Sequence, residues 1–208
     1  MMNFIRNNLN KLFFIFILKF YFFNLNAVTL EEYAKELPLA SKPGYYLKNF
    51  VNSVNINLPP DKRLAILYTK LLKNWKYISD PAGYDHFSIS EYLIRRDELE
   101  GDCEDLASVI ISVCKVMNLK CQVALGISQQ NTGHAWTEVF ISDDKKLNYS
   151  LHKRLKNNFG NNVKFVQRSD GFWLQMNPLN MLKKYKTTHI ITVKGELIKI
   201  RHLAEKSN

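Results

Sequence analysis

Two short runs hold the side chains best suited to covalent chemistry. The first, Gly101-Asp102-Cys103-Glu104-Asp105, sets one thiol among three carboxylates. A helix starting here would place Cys103 in its first turn. Unpaired N–H groups and the helix dipole favour the nucleophilic thiolate there. The flanking acids oppose that effect, so a nearby base is needed to hold an ion pair. The simpler alternative is that Asp and Glu cap the helix and Cys103 is a small buried residue. The second run, Gly133-His134-Ala135-Trp136-Thr137-Glu138-Val139, offers an imidazole after the polar loop Ser128–Gly133. A His at a loop–strand junction can face a cleft; the alternative is a satisfied surface imidazole. A thiol and a base of this kind are the residue types of nucleophilic catalysis.

The elements that must position these groups follow from the pattern. Thr29-Leu30-Glu31-Glu32 reads as a capping box opening a first helix that ends near Pro38. Pro59-Pro60-Asp61 opens an amphipathic helix with Leu64, Leu67, Tyr68, Leu71, Leu72 and Trp75 on one face, broken by Asp80-Pro81. Ser88–Glu91 reads as a second capping box before a short helix through Ile94. The most apolar helix starts at Gly101-Asp102 and runs to Met117, with Asn118 as its left-handed cap.

From Cys121 the pattern changes to strands, expected at 121–127, 135–141, 147–151, 163–167, 172–176, 188–193 and 196–200. Trp136 and Val139 face opposite sides, so the second of these strands is expected to be buried on both. Helices followed by hairpins imply an α+β domain: N-terminal helices and a central buried helix packed on an antiparallel sheet.

In order and in context, the motifs resemble those of the transglutaminase-like superfamily of papain-fold cysteine enzymes. Its first motif is matched by Gly101-Asp102-Cys103-Glu104-Asp105 and its second by His134-Ala135-Trp136-Thr137-Glu138. Its third, a strand bearing Asp or Asn before Pro, is matched by Trp173-Leu174-Gln175-Met176-Asn177-Pro178. The resemblance covers roughly residues 60–180 and implies a bacterial cysteine peptidase of the papain-like fold. Cys103 would form a thioester, His134 would shuttle the proton, and Asn177 would fix the imidazole tautomer. Asn stands where most relatives have Asp, and it cannot stabilise an imidazolium as a carboxylate does. The competing third member is Asn148, one hairpin beyond His134; it lacks the preceding Trp and the following Pro. The Cys103 N–H is the expected oxyanion donor.

Hydrolysis, Gln deamidation and transfer to an amine all share that thioester. A non-catalytic binding domain of the same fold is the other functional class. This chemistry requires no cofactor. Periplasmic relatives that trim adhesins carry the same acidic run and bind calcium through it. By that resemblance Asp102, Glu104 and Asp105 would hold Ca²⁺, a cation that prefers such oxygens; helix capping and salt bridges are the alternative.

Composition sets the remaining bounds. The chain has 208 residues, 46% apolar and 23% charged, which excludes bulk disorder and suits one domain. Three cysteines are too few for a disulfide scaffold, and Cys114 and Cys121 read as core. The net charge of +10 is spread along the chain without a nucleic-acid motif, so it reads as a Lys- and Asn-rich surface. Residues 1–27 contain Arg6, Lys11, Lys19 and no acid, around the apolar runs Leu12–Leu18 and Phe20–Phe23. This reads as a secretory signal ending near Ala27, or an uncleaved membrane anchor, or a buried N-terminal helix. The folded domain is then residues 28–208, exported to the periplasm or outside. Its partner would be a protein or peptide substrate, with membrane association only through residues 1–27. Oligomeric state is left open.

Overall fold

The computed structural model describes residues 29–81, 86–96, 99–130, 132–143, 149–160, 163–176 and 185–200. Six helices precede or interrupt eight strands there: α1 (Leu30–Ala40), α2 (Tyr45–Asn52), α3 (Pro60–Asn74), β1 (Trp75–Tyr77), α4 (Ser90–Arg95), β2 (Leu99–Gly101), α5 (Cys103–Val116), β3 (Cys121–Ser128), β4 (Gly133–Ser142), α6 (Tyr149–Phe159), β5 (Val163–Arg168), β6 (Gly171–Met176), β7 (Tyr185–Thr192) and β8 (Leu197–Lys199). A six-stranded antiparallel sheet has the order β5-β6-β4-β3-β7-β8. The fold is the expected α+β arrangement.

Helix α5 lies between the sheet and the other helices. From Glu104 to Cys114 every residue of it is buried. It packs against β3 and β4 on one side and α2, α3 and α4 on the other. Thr137 of β4 donates its hydroxyl to the Ala107 carbonyl at 3.1 Å, joining helix to sheet. Asn118, at φ 54°, supplies the left-handed residue after the helix. Cys114 and Cys121 are both core residues, as expected. Strand β4 is buried on both faces. Ala135 and Val139 enter the main core under α5, whereas Trp136 packs with Ala124 and Ile190 on the far face.

The Thr29–Glu32 capping box forms as expected. Pro38, however, does not end α1; it sits in the last turn, and the helix runs to Ala40. Proline lacks the N–H that would bond Ala34. Gly195, at φ +82° in the β7–β8 turn, fits close to that carbonyl, where a Cβ would stand 2.9 Å from the oxygen. Helix α2 is an element the sequence reading did not include.

The expected capping box at Ser88 does not form, because helix α4 begins at Ser90 and Ile89 holds the cap position without a side-chain bond. Glu91 instead caps α2 across space: it accepts from the N–H groups of Gly44 (3.0 Å), Tyr46 (2.7 Å) and Leu47 (3.1 Å). Three orphan donors outcompete one local bond. Trp75 leaves the helix face assigned to it and opens β1, which pairs in parallel with β2.

The strand expected at 147–151 is also corrected: residues 149–159 form helix α6. Leu155 and Phe159 are one turn apart and both buried, and Phe159 meets Tyr68 of α3 at 6.1 Å. Asp61 adds a bond from Arg154 at 2.8 Å and one from Asn158 at 3.1 Å. A helix and one strand, rather than a hairpin, therefore fill the interval between β4 and β6. Residues 1–28 lie outside the described residues, so the expected signal segment does too. Among the described residues no helix is long and apolar enough to cross a membrane.

Candidate active site

The chain reaches Cys103 through a tightly tethered turn. The Gly101 carbonyl accepts from the Ile78 N–H at 3.0 Å and the Trp75 indole at 3.2 Å. A Cβ on Gly101 would fall 2.4 Å from the Asp105 carboxylate, so only glycine lets that side chain fold over the turn. Asp105 then accepts the Ser88 N–H at 2.7 Å. The result is a fixed start for α5, with Asp102 as N-cap and Cys103 as the first helical residue.

The thiol is partly buried and donates to Oε2 of Glu104 at 3.0 Å. Burial pushes the Cys103 thiol well above its ordinary value, and the Glu104 carboxylate pushes it the same way. One contact opposes them: the backbone N–H of Ala135 donates to Sγ at 3.4 Å. Burial also raises the carboxyls of Asp102 and Asp105, and the charge of Asp80 pushes both the same way.

His134, at the start of β4, is 7% exposed and precedes the residue that touches the sulfur. Its ring lies 4.6 Å from Tyr185 and 5.8 Å from Trp136. The two sequence motifs thus meet through the Ala135 N–H. Strand β6 pairs with β4 as far as Met176, opposite Thr137. Asn177 follows in sequence; it and Asn148 both lie outside the described residues.

One oxygen or sulfur each from Asp102, Cys103 and Glu104 lie within 4.8 Å of one another. Oδ1 of Asp102 is buried with no hydrogen-bond partner among the described residues. Two hard carboxylates, one with an unsatisfied buried oxygen, fit a cation such as calcium. Asp105 stands apart from this group, held by Ser88.

Three neighbours were not legible in the sequence: Tyr77, Tyr185 and Arg168. Tyr77, about half exposed, sits beside the site; its phenol is raised first by burial and then by the charges of Cys103, Asp102 and Glu104. Tyr185 stacks on His134. Glu138, fully buried, is bound by Arg168, whose Nε is 3.1 Å away and whose Nη2 makes a shorter contact. Gln122 (2.9 Å), Gln175 (3.0 Å) and the Trp136 indole (3.4 Å) complete its bonds. Glu138 was visible as part of the second motif, but nothing in the sequence pointed to Arg168.

The sequence model of the transglutaminase-like superfamily matches residues 48–178, well over half of the chain. The chain belongs to the transglutaminase-like superfamily. The match encloses Cys103, His134 and Asn177, the residues taken from the three motifs. Among solved structures, calcium-bound LapG of Legionella pneumophila is similar at 13% identity and TM-score 0.47, covering 77% of this chain and 80% of that one. A Cytophaga hutchinsonii protein assigned as a cysteine protease is similar at 17% identity and TM-score 0.39. That alignment covers 50% of this superfamily member and 37% of the Cytophaga protein, so the chain spans little more than a third of it. No curated protein matches the sequence.

Proposed function

We propose that the chain is an exported thiol enzyme that cleaves peptide bonds, a cysteine peptidase working through Cys103, His134 and Asn177. The observation that supports this is the Ala135 N–H set against the Cys103 sulfur, at the start of a buried helix and next to His134. In the proposed reaction Sγ attacks the carbonyl carbon while His134 takes the thiol proton. The carbonyl oxygen gains charge near the Cys103 N–H, a helix-end donor outside the intrahelical ladder. The C–N bond breaks, His134 returns the proton to the leaving amine, and a thioester remains. Water then releases the acid and regenerates the thiol. Asn177 holds the imidazole tautomer.

Asp102 and Glu104 would hold calcium, with Asp105 bracing the turn. A bound cation would offset the carboxylate charge that now disfavours the thiolate. Hydrolysis, deamidation of Gln and transfer to an amine diverge only after the thioester. A second reading, a non-catalytic binding domain, draws support from burial and the Cys103–Glu104 bond, which favour the protonated thiol.

The test is labelling of the full chain with a library of peptidyl chloromethyl ketones, with and without calcium, alongside cleavage of the matching peptides. Expected is labelling at Cys103 that depends on peptide sequence and is lost in His134→Ala. A primary-amine probe separates transfer from hydrolysis. Peptide binding with neither labelling nor turnover would favour the second reading.

A further inference from the structure

Among the described residues His134 is paired on one side, with Gly126 of β3. It is next to the first residue of β4, and the described pairing with β6 begins only at Thr137. Its backbone neighbour Ala135 is tied to the sulfur, but the imidazole itself has two side-chain torsions to fix. An aromatic cluster on the outer face of the sheet is placed to fix them. The Tyr185 ring lies 4.6 Å from the imidazole at an interplanar angle of 33°. Trp136 lies 5.8 Å from the imidazole at 32°, and 6.2 Å from Tyr185 at 47°. Three rings therefore contact one another pairwise, at separations typical of favourable aromatic pairs.

The walls of this cluster are themselves anchored. Trp136 is 3% exposed and packs on Ala124 and Ile190. Its indole crosses over Gly126, where a Cβ would stand 2.6 Å from Cη2. Its N–H reaches Glu138, which Arg168 holds. Arg168 also donates to Thr187 at 3.3 Å, and Thr187 lies two residues along β7 from Tyr185, on the same face. The same ion pair, its carboxylate buried, thus grips both strands that carry the rings.

We propose that Tyr185 is a positioning residue for His134: its ring, backed by Trp136 and the Glu138–Arg168 pair, holds the imidazole in the orientation its proton transfer needs. This rests on the reading of His134 as the base of a thiol enzyme. A ring does this work and the phenol hydroxyl does not, so Tyr185→Phe and Tyr185→Leu should separate. Small misplacement of a catalytic group is enough to slow chemistry without weakening substrate binding.

The experiment compares Tyr185→Phe, Tyr185→Leu and the unaltered full chain in two measurements. The first is the His134 imidazole resonance by NMR, assigned through His134→Gln. A stacked ring shifts that resonance by its ring current, and this readout needs no activity. The expected result is that Tyr185→Leu moves the resonance toward that of free histidine, and Tyr185→Phe leaves it in place. The second is peptide cleavage: kcat falls about tenfold or more in Tyr185→Leu with KM unchanged, and Tyr185→Phe restores it. If Tyr185→Leu does not fold, Tyr185→Met fills the volume without a ring and takes its place.

Cleavage that persists with an unmoved resonance in the ringless variant overturns the positioning role alone. Equal losses in Tyr185→Phe and Tyr185→Leu overturn it too, since they assign the effect to the hydroxyl. A moved resonance in a chain that cleaves nothing leaves the stack standing but removes the base reading, and the positioning role with it.

Discussion

The backbone N–H of Ala135 donates to the sulfur of Cys103 across 3.4 Å, joining two residues 32 positions apart in the chain. This bond links the start of the buried helix to the strand that carries the imidazole. Among the described residues it is a contact that favours the thiolate against burial and Glu104. The candidate site is therefore a balance, with its protonation state set by few groups. That balance makes it open to test by single substitutions.

Cys103 should react faster with iodoacetamide than Cys114 or Cys121 in the folded protein. It is partly exposed, whereas the other two are core residues. Peptide mapping after short exposure reads the three rates separately. Equal rates, or an active Cys103→Ala protein, would remove the thiol from the reaction.

Calcium should raise the melting temperature, and Asp102→Asn should cut that rise sharply. At a calcium concentration about a hundredfold above Kd the gain is about 2.7 kcal/mol. Scanning calorimetry against calcium and against a chelator measures it. Identical melting in both, for the unaltered chain, would mean that the acidic turn serves capping alone.

Arg168→Met should destabilise the fold by about 3–5 kcal/mol, because it removes the cationic partner of a fully buried carboxylate. The urea midpoint is the measurement. A loss under about 1 kcal/mol would place Glu138 among weak surface-type pairs.

Asp170 gives a prediction in pH. Partial burial acts to raise its carboxyl, but bonds from Lys120 (2.8 Å) and the Trp173 indole (2.9 Å) outweigh that and lower it. A lowered folded-state value means stability that is present above the unfolded value. It is lost as pH falls through the folded one. Melting temperature should therefore drop less steeply below about pH 4 in Asp170→Asn than in the parent. Parallel curves would show that these bonds add nothing.

How much of this was legible in the residues depended on whether the signal was local. Helix α5 and its Asn118 cap followed from an unbroken apolar run and one left-handed residue. The Thr29–Glu32 box forms because both partners lie within one turn. Glu91 had the same local pattern, yet it caps α2 because three bare N–H groups of a distant helix face it. Tyr149–Phe159 misled for a related reason. Leu147, Tyr149 and Leu151 alternate like a strand, but Leu155 and Phe159 settle the segment by packing as a helix against α3. Cys103 and His134 stood out as candidates because each lies in a short run that matches a family motif. Tyr185 and Arg168 were not, because only the sheet order β4-β3-β7 and the β5–β6 pairing bring them near.

The hairpin joining β3 to β4 sets more than a turn. It is closed by the Ser128 N–H to the Thr132 carbonyl at 3.0 Å and by the two hydroxyls at 2.6 Å. It fixes a register in which Gly126 pairs with His134 and Leu125 with Ala135. Since neighbouring residues of a strand face opposite sides, a slip of one position would send the imidazole toward the helix and Ala135 to the aromatic face. The loop thus acts as a ruler. The Ser128 and Thr132 hydroxyls are part of that ruler, and any change there that let the register slip by one position would separate the thiol from the imidazole while leaving both in the protein.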